Sequence, residues 1–373
     1  MENPATPAYL AILQHPAVST AHFSRLLKRF GSMNGIRQQS AATLTELGFE
    51  HNQVQILLAD KPRPKSAKNH KKALKWAEKP RNGIIPFEAD EYPDQLRQIP
   101  VPPPVLFYHG CQSALEKPSI AIVGSRRCSS YGNRNALWMA HELAVNGLVV
   151  CSGLARGIDG QSHRGALKAR GQTIAVVATG LDRVYPAEHL SLANEIAETG
   201  LLISEFPLET PPRKENFPQR NRIISGLSLG VLVVEASKRS GSLITARLAL
   251  EQNRDVFVIP GAINNKHSEG CHWLIKQGAK LVESPEEILD DYDFLKRETE
   301  EPPTTKAKQA SIPIPQSNKN QQQILAAIGP DHCLLDYLLT KTGIPIGQLT
   351  QELVCMEIEG KIESRGGRYF LTD

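Results

Sequence analysis

The sequence predicts an α/β protein: a doubly wound, mainly parallel sheet with helices on both faces, a helical domain before it and a winged-helix-like domain after it. Three observations carry this. Between residues 119 and 283, short β-branched apolar runs alternate with amphipathic helical stretches, and near-continuous apolar strands of this kind belong to parallel sheets covered on both faces. Several of these runs end in a small residue followed by a basic turn, as in SIAIVGSRR, VVCSGLARG and VLVVEASKRSGS. The periodicity also changes at both ends, to helix spacing alone near the N-terminus and to two helices followed by a hairpin near the C-terminus.

Taken in order, residues 1–80 read as a helical domain. Phe23, Leu26, Leu27 and Phe30 fall at helical spacing, Gly31 and Gly35 break the pattern, and a second helical stretch ends near Leu58. Its shape would suit a helix-hairpin-helix phosphate grip or a SAM-like module, and a plain helical adaptor is the simpler reading. The run KPRPKSAKNHKKALKWAEK that follows reads as a solvated helix with its linker, and secondarily as a nonspecific attraction for nucleic acid.

Residues 81–295 form the sheet domain with its lead-in. Pro102 to Pro104 cannot pair inside a sheet, so this run should cross an edge. Strands are expected at 119–124, 148–152, 173–178, 201–205, 230–235, 255–259 and 280–283. Residues 296–320 lack apolar periodicity and are rich in Pro, Thr, Lys and Gln, the composition of a flexible linker.

In residues 321–373, two helices precede KIESRGGRYFL, a hairpin turning at Gly366 and Gly367. The second helix, around 346–359, carries Glu352, Glu357 and Glu359 and no Lys or Arg. Such a helix repels DNA, so protein contact or regulation is expected of this domain.

Composition narrows the class. A net charge of +4 over 373 residues permits a polyanion partner without requiring one. Six scattered cysteines without a CxxC pair suit reduced thiols in a cytoplasm. The N-terminal residues show no basic leader before an apolar stretch, and no run of about 18 apolar residues occurs, so neither secretion nor a membrane span is expected.

Several motifs fail on spacing. Gly124 ends a strand, but SRRCSSYG lacks the GxGxxG spacing of a dinucleotide site, and no GxxxxGK[ST] marks a triphosphate loop. No cofactor is expected. Ser228 in GLSLG matches a nucleophile elbow formally, but here helix precedes strand. His267, Cys271 and His272 have no fourth ligand at zinc spacing, so no metal is expected. His163 sits mid-helix and reads as a packing residue rather than a general base.

The cationic rim remains. Gly124, Ser125, Arg126 and Arg127, then Gly153, Arg156 and Gly157, then Lys238, Gly241 and Ser242 all stand at strand-to-helix turns. Glycines let backbone N–H groups approach a phosphate, and arginines hold its oxygens in pairs. FPQRNRIISG adds Arg220, Asn221 and Arg222 near a helix start, with Phe217 as a surface on which a base could stack. One arginine could be an internal ion pair; four turns of one sheet point to an anionic ligand.

The succession IAIVGSRR, SGLARGIDG, GLDRVYP, ISEFP, FPQRNRIISGLS, VVEASKRSGSLITA and VFVIPG resembles the DNA-processing protein A (DprA, or Smf) family over about residues 85 to 290. The resemblance implies a Rossmann-like fold that binds single-stranded DNA without hydrolysing it, protects incoming DNA in natural transformation, and helps load a RecA-type recombinase on strands coated by single-strand-binding protein. It further implies a homodimer formed through the Rossmann-like domain. Carried over, Arg126 and Arg156 would grip phosphate, with Arg222 and Lys238 completing the pocket. Where many relatives have Lys, this chain has Arg156.

Two rivals are weighed against this. The fold is also similar to that of cytokinin-activating phosphoribohydrolases, whose GGxGTxxE turn holds a catalytic Glu. Here the turn reads SGSLIT and Thr245 stands at that spacing, so a nucleoside-monophosphate hydrolase would lack its carboxylate. The other rival is a structural scaffold whose basic turns are neutralised by acids such as Asp159 and Asp182.

Overall fold

The computed structural model describes residues 6–13, 18–59, 64–292, 319–328, 333–358, 361–365 and 368–371. They fall into two units, 1–300 and 301–373. The linker expected over 296–320 lies, except for its last two residues, outside the described residues.

In the first unit, α1 (Thr6–Leu13), α2 (Thr20–Phe30), α3 (Met33–Arg37), α4 (Ala41–Glu46), α5 (His51–Leu58) and α6 (Pro64–Ala77) precede the sheet. Their apolar faces bury Tyr9, Phe23, Leu27 and Leu57, and these residues share one continuous core with the sheet. Ser24 Oγ donates to the Pro102 carbonyl and Lys28 Nζ to that of Gln98, which fastens α2 to the segment around the proline run.

The sheet contains β1 (Asn82–Pro86), β2 (Val105–Gly110), β3 (Ser119–Val123), β4 (Val149–Ser152), β5 (Thr173–Val176), β6 (Leu201–Ser204), β7 (Gly230–Val233), β8 (Asp255–Val258) and β9 (Lys280–Leu281). Their order is β1-β2-β6-β5-β4-β3-β7-β8-β9. All seven expected strands form, and from β6 to β9 every pairing is parallel. Strands β1 and β2 were not expected. They pair antiparallel with each other, and β2 also pairs antiparallel with β6; β1, at the edge with Gly83 and Pro86 in its five residues, lacks the apolar run that marks a buried parallel strand, and β2 begins directly after the proline run, which masks its start. The proline run leads into β2 rather than across an edge, and it hands its carbonyls to Ser24, Tyr92 and the Phe87 amide, the last of these continuing the β1–β2 ladder.

Between the strands lie α7 (Asp94–Gln98), α8 (Ser130–Val145), α9 (Ile158–Lys168), α10 (Leu190–Thr199), α11 (Asn216–Leu227), α12 (Gly241–Glu251) and α13 (Glu269–Lys276), and α14 (Glu286–Leu289) follows β9. The parallel order starts at β3 and grows one way through β4, β5 and β6, then the other way through β7, β8 and β9. β3 and β7 therefore flank the switch point, where doubly wound sheets open a crevice beyond their carboxyl ends.

The second unit is built from helices Lys319–Ile328, Leu335–Thr342 and Ile346–Ile358 with a three-stranded sheet. Strands Ile362–Arg365 and Arg368–Leu371 form the expected hairpin, and the second also pairs with Cys333–Leu334. This is a winged-helix arrangement. Its core gathers Ile324, Leu338, Leu349, Leu353, Met356 and Ile362. Residues Glu359, Gly366 and Gly367 of the expectation lie outside the described residues.

His163 proves to be fully buried in α9. Thr173 Oγ1 donates to the Val150 carbonyl (2.6 Å), so it must accept from His163 Nδ1 (2.7 Å). Burial drives the imidazole pKa down to about 3. The sign follows from linkage: below pH 6.5 the unfolded chain takes up a proton that the folded state refuses, so stability falls with pH from 6.5 towards 3, by up to about 1.4 kcal/mol per pH unit. Chemical denaturation of His163→Gln at pH 7 and pH 5 should show a shallower acid loss than the parent chain; an identical loss would remove His163 as its source.

Candidate nucleic-acid interface

The turn after β3 is clamped from both sides. Ser125 N donates to the Glu235 carbonyl beyond β7 (2.8 Å), and the Ser125 carbonyl accepts from Ile158 N after β4 (3.2 Å). Such close approach needs Gly157, in the left-handed region at φ 74°, because a Cβ there would lie 2.3 Å from the Ser125 carbonyl oxygen. Glu235, almost wholly buried, turns its carboxylate to Ser129 N (2.9 Å) and Ser129 Oγ (2.5 Å). The N-terminus of α8 is thus already occupied by an internal anion. At α12 the cap is Ser240 and the first turn contains no acid, which leaves an anion-attracting helix start at the crevice.

The crevice holds about 800 Å³, and its walls come from the turns after β3, β4, β7 and β8 and from the start of α11. Of the residues picked from sequence, Gly124, Ser125, Arg126, Arg127, Phe217, Arg220, Asn221, Gly241 and Ser242 all line it. Lys238 stands exposed between Ser237 and Ser240, which line it too. Arg126 and Arg127 are exposed and make no ion pair among the described residues. The Arg126 guanidinium lies 5.1 Å from the centre of the Phe217 ring, and Tyr185 packs against the same ring at 5.9 Å. A cation and two aromatic rings therefore share one wall.

Arg220 forms the floor. It is 3% exposed, its Nη1 donates to the Val176 carbonyl (2.9 Å), and its Nε has no partner. Burial lowers its pKa to about 10, while Asp159 nearby is raised by its own burial; the guanidinium stays charged at neutral pH. Gly153 serves this placement, since a Cβ there would meet Arg220 Nη1 at 1.6 Å.

Two expected phosphate contacts are corrected by the geometry. Arg156 is not among the residues that line the crevice, and it is held by Glu188 through two bonds, Nε to Oε1 (2.7 Å) and Nη2 to Oε2 (2.6 Å). Arg222 is matched in the same way to Glu205, both bonds at 2.6 Å, and its Nε donates to the Val101 carbonyl. The carboxylate in each case answers the fork of the guanidinium, so in this structure neither arginine presents an unpaired guanidinium to the crevice. The internal-neutralisation reading named Asp159 and Asp182, whereas the acids that pair with these two arginines are Glu188 and Glu205, and Arg126 and Arg127 pair with no acid among the described residues.

Residues that the motifs did not single out also stand in the walls, Tyr185, Lys214 and Lys266, together with Asp159, which was named only as a neutralising acid. PPRKEN before α11 and NNKH after β8 were the available cues, basic turns following strands like the others. Elsewhere, Ser228 Oγ donates within α11 to the Ile224 carbonyl. Cys271 Sγ faces the Val234 carbonyl, and a His272 ring nitrogen lies 2.9 Å from that of Gly261.

The chain matches the family model described as DNA recombination-mediator protein A over residues 83–293 and the model for a DprA winged helix domain over residues 306–368. It is 42% identical to Protein Smf of Escherichia coli, with 88% of this chain and 86% of that protein covered. It is 47% identical to DNA processing protein DprA of Bacillus subtilis over 56% of this chain and 70% of that one. The solved structure of DNA processing protein A from Streptococcus pneumoniae superposes with a TM-score of 0.58 at 36% identity, over 74% of this chain and 98% of the other. A structure of the Helicobacter pylori protein, described for its single-stranded DNA binding mode, gives 0.52 at 32% identity, over 56% and 95%.

The pairing of Arg222 with Glu205 sets a test that separates structure from ligand. Glu205 is 4% exposed on its side chain, so Arg222→Ala strands a buried carboxylate and should cost about 3–5 kcal/mol in denaturation. Combining it with Glu205→Leu should recover most of that. A full-strength loss that persists in the double variant would contradict the assignment.

Proposed function

The chain belongs to the DNA recombination-mediator protein A family, and on that premise we propose that it binds single-stranded DNA in the crevice beyond β3, β4 and β7 without hydrolysing it. One observation carries the reading: exposed, unpaired Arg126 and Arg127 and the buried Arg220 face the same crevice as Phe217 and Tyr185. A flexible strand can bend its phosphates into a concave site and lay bases on the rings, whereas a stiff duplex cannot. Affinity then comes from charge, and selectivity for the single strand comes from shape. Base preference should be weak.

The finer role rests on family membership. In this reading the bound strand is protected during natural transformation and passed to a RecA-type recombinase in competition with single-strand-binding protein. A homodimer would place two crevices on one strand and raise avidity through effective concentration. A cytoplasmic setting fits the free thiols of Cys111, Cys128, Cys151, Cys271 and Cys333. No helix among the described residues is long and apolar enough to cross a membrane.

The noncatalytic part of the proposal draws on Thr245, which lines the crevice wall where a hydrolytic relative would need a carboxylate. Incubation with a panel of nucleoside monophosphates should release no free base; release that disappears in Arg220→Ala would favour the enzyme.

Binding of oligothymidylate across a salt series, with its duplex as control, tests the main reading. Arg126→Ala should weaken binding and flatten the logarithmic salt slope by about 0.7. Phe217→Ala should weaken it by about 1–3 kcal/mol with the slope unchanged, as loss of stacking requires. Equal affinity for duplex, or slopes insensitive to Arg126, would defeat the proposal.

A further inference from the structure

The lysine-rich run of residues 61–79 is not absorbed by the crevice, and its described part, 64–79, forms α6 and the turn after it. Helix α6 turns one face inward: His70 and Ala73 are buried, Leu74 is half-buried, and Trp76 meets Phe107 edge to face at 6.3 Å. The opposite face leaves Lys71, Lys72 and Lys75 exposed, and Lys79, two residues beyond the helix, is exposed as well. Lys71 and Lys75 stand one helical turn apart, about 6 Å along the axis. Among described residues neither they nor Lys79 makes an ion pair.

Lys72 shows where this face points. It forms an ion pair with Glu209, in the segment that joins β6 to α11. That segment is itself anchored on the carboxyl side of the sheet: Glu209 N donates to Asp182 Oδ1 (2.7 Å), and Gly180 N to the Thr210 carbonyl (3.1 Å). A few residues on, the same segment presents exposed Arg213 and then Lys214, which lines the crevice. The sheet agrees. β1 and β6 both run antiparallel to β2, so β1 rises towards the carboxyl edge. α6, packed on β1 after a short turn, descends from that edge.

Positive charge therefore continues from the crevice through Lys214 and Arg213 to the outer face of α6. We propose that Lys71, Lys75 and Lys79 form a second phosphate track, which holds the same single strand of nucleic acid where it leaves the crevice. The inference rests on the reading given under Proposed function and adds a length dependence to it. Only a strand longer than the crevice can reach α6, so the track contributes nothing to short ligands. Lys72 has a different part, holding the helix against the Glu209 segment.

The test compares a short oligothymidylate that the crevice alone can hold with one several times longer, in full-length chain and in the Lys71→Gln, Lys75→Gln, Lys79→Gln triple variant. With the unaltered chain, the logarithmic salt slope for the long strand should be steeper than for the short one. The triple variant should flatten the long-strand slope by about 2, from about 0.7 per lysine engaged, and leave the short-strand affinity unchanged. That unchanged affinity also reports an intact fold. A long-strand slope unaltered by the substitutions overturns the track and leaves the crevice standing. Failure of the unaltered chain to bind either strand overturns both readings.

Discussion

The crevice depends on one constraint, the packing of the turn after β3 between the backbones that follow β4 and β7. Ser125 is bonded on both sides, to Glu235 through its amide and to Ile158 through its carbonyl. This fixes the main chain from which Arg126 and Arg127 project. The clamp exists because β3 lies at the switch point, the one place where successive turns spread to opposite sides and leave a gap. Gly157 allows the approach on one side, and the Glu235 carboxylate ties down the start of α8 on the other.

Within that frame the cations divide by partner rather than by position in the chain. Arg156 and Arg222 have bidentate carboxylates and contribute to the fold. Among the described residues, the exposed pair Arg126 and Arg127 and the buried Arg220 have none within bonding distance, and they line the crevice. A buried guanidinium whose Nε has no partner among the described residues is costly; its field at the crevice floor is strongest for an anion that excludes water as it binds. The aromatic wall of Phe217 and Tyr185 lies beside this charge, so one site offers both contacts that a nucleotide strand can use.

Much of the fold was legible from the chain. The seven parallel strands announce themselves because burial on both faces demands β-branched runs with no polar alternation, as in SIAIV and GVLVV. β1 escaped because an edge strand tolerates glycine, proline and polar residues, and β2, inside the sheet, escaped because its apolar start follows directly on the proline run. At the site, nine of the picked residues line the crevice, since strand-to-helix turns of one doubly wound sheet must open on the same edge. Tyr185, Lys214 and Lys266 were missed because a lysine or tyrosine in a loop has no local mark that sets it apart from a solvated one.

The chain by itself determined where backbone turns fall, which side chains are charged, and that several cations stand beyond strand ends, because these follow from local pattern and the parity of a parallel sheet. It could not determine which cations are neutralised. Arg222 meets Glu205 and Arg156 meets Glu188 across segments that are distant along the chain, and only folding brings those carboxylates within reach. The same holds for α6, whose lysines gain a direction through Lys72 and Glu209. Charge is a property of residue type, whereas a net field is a sum over neighbours in space, and those neighbours are chosen by tertiary packing.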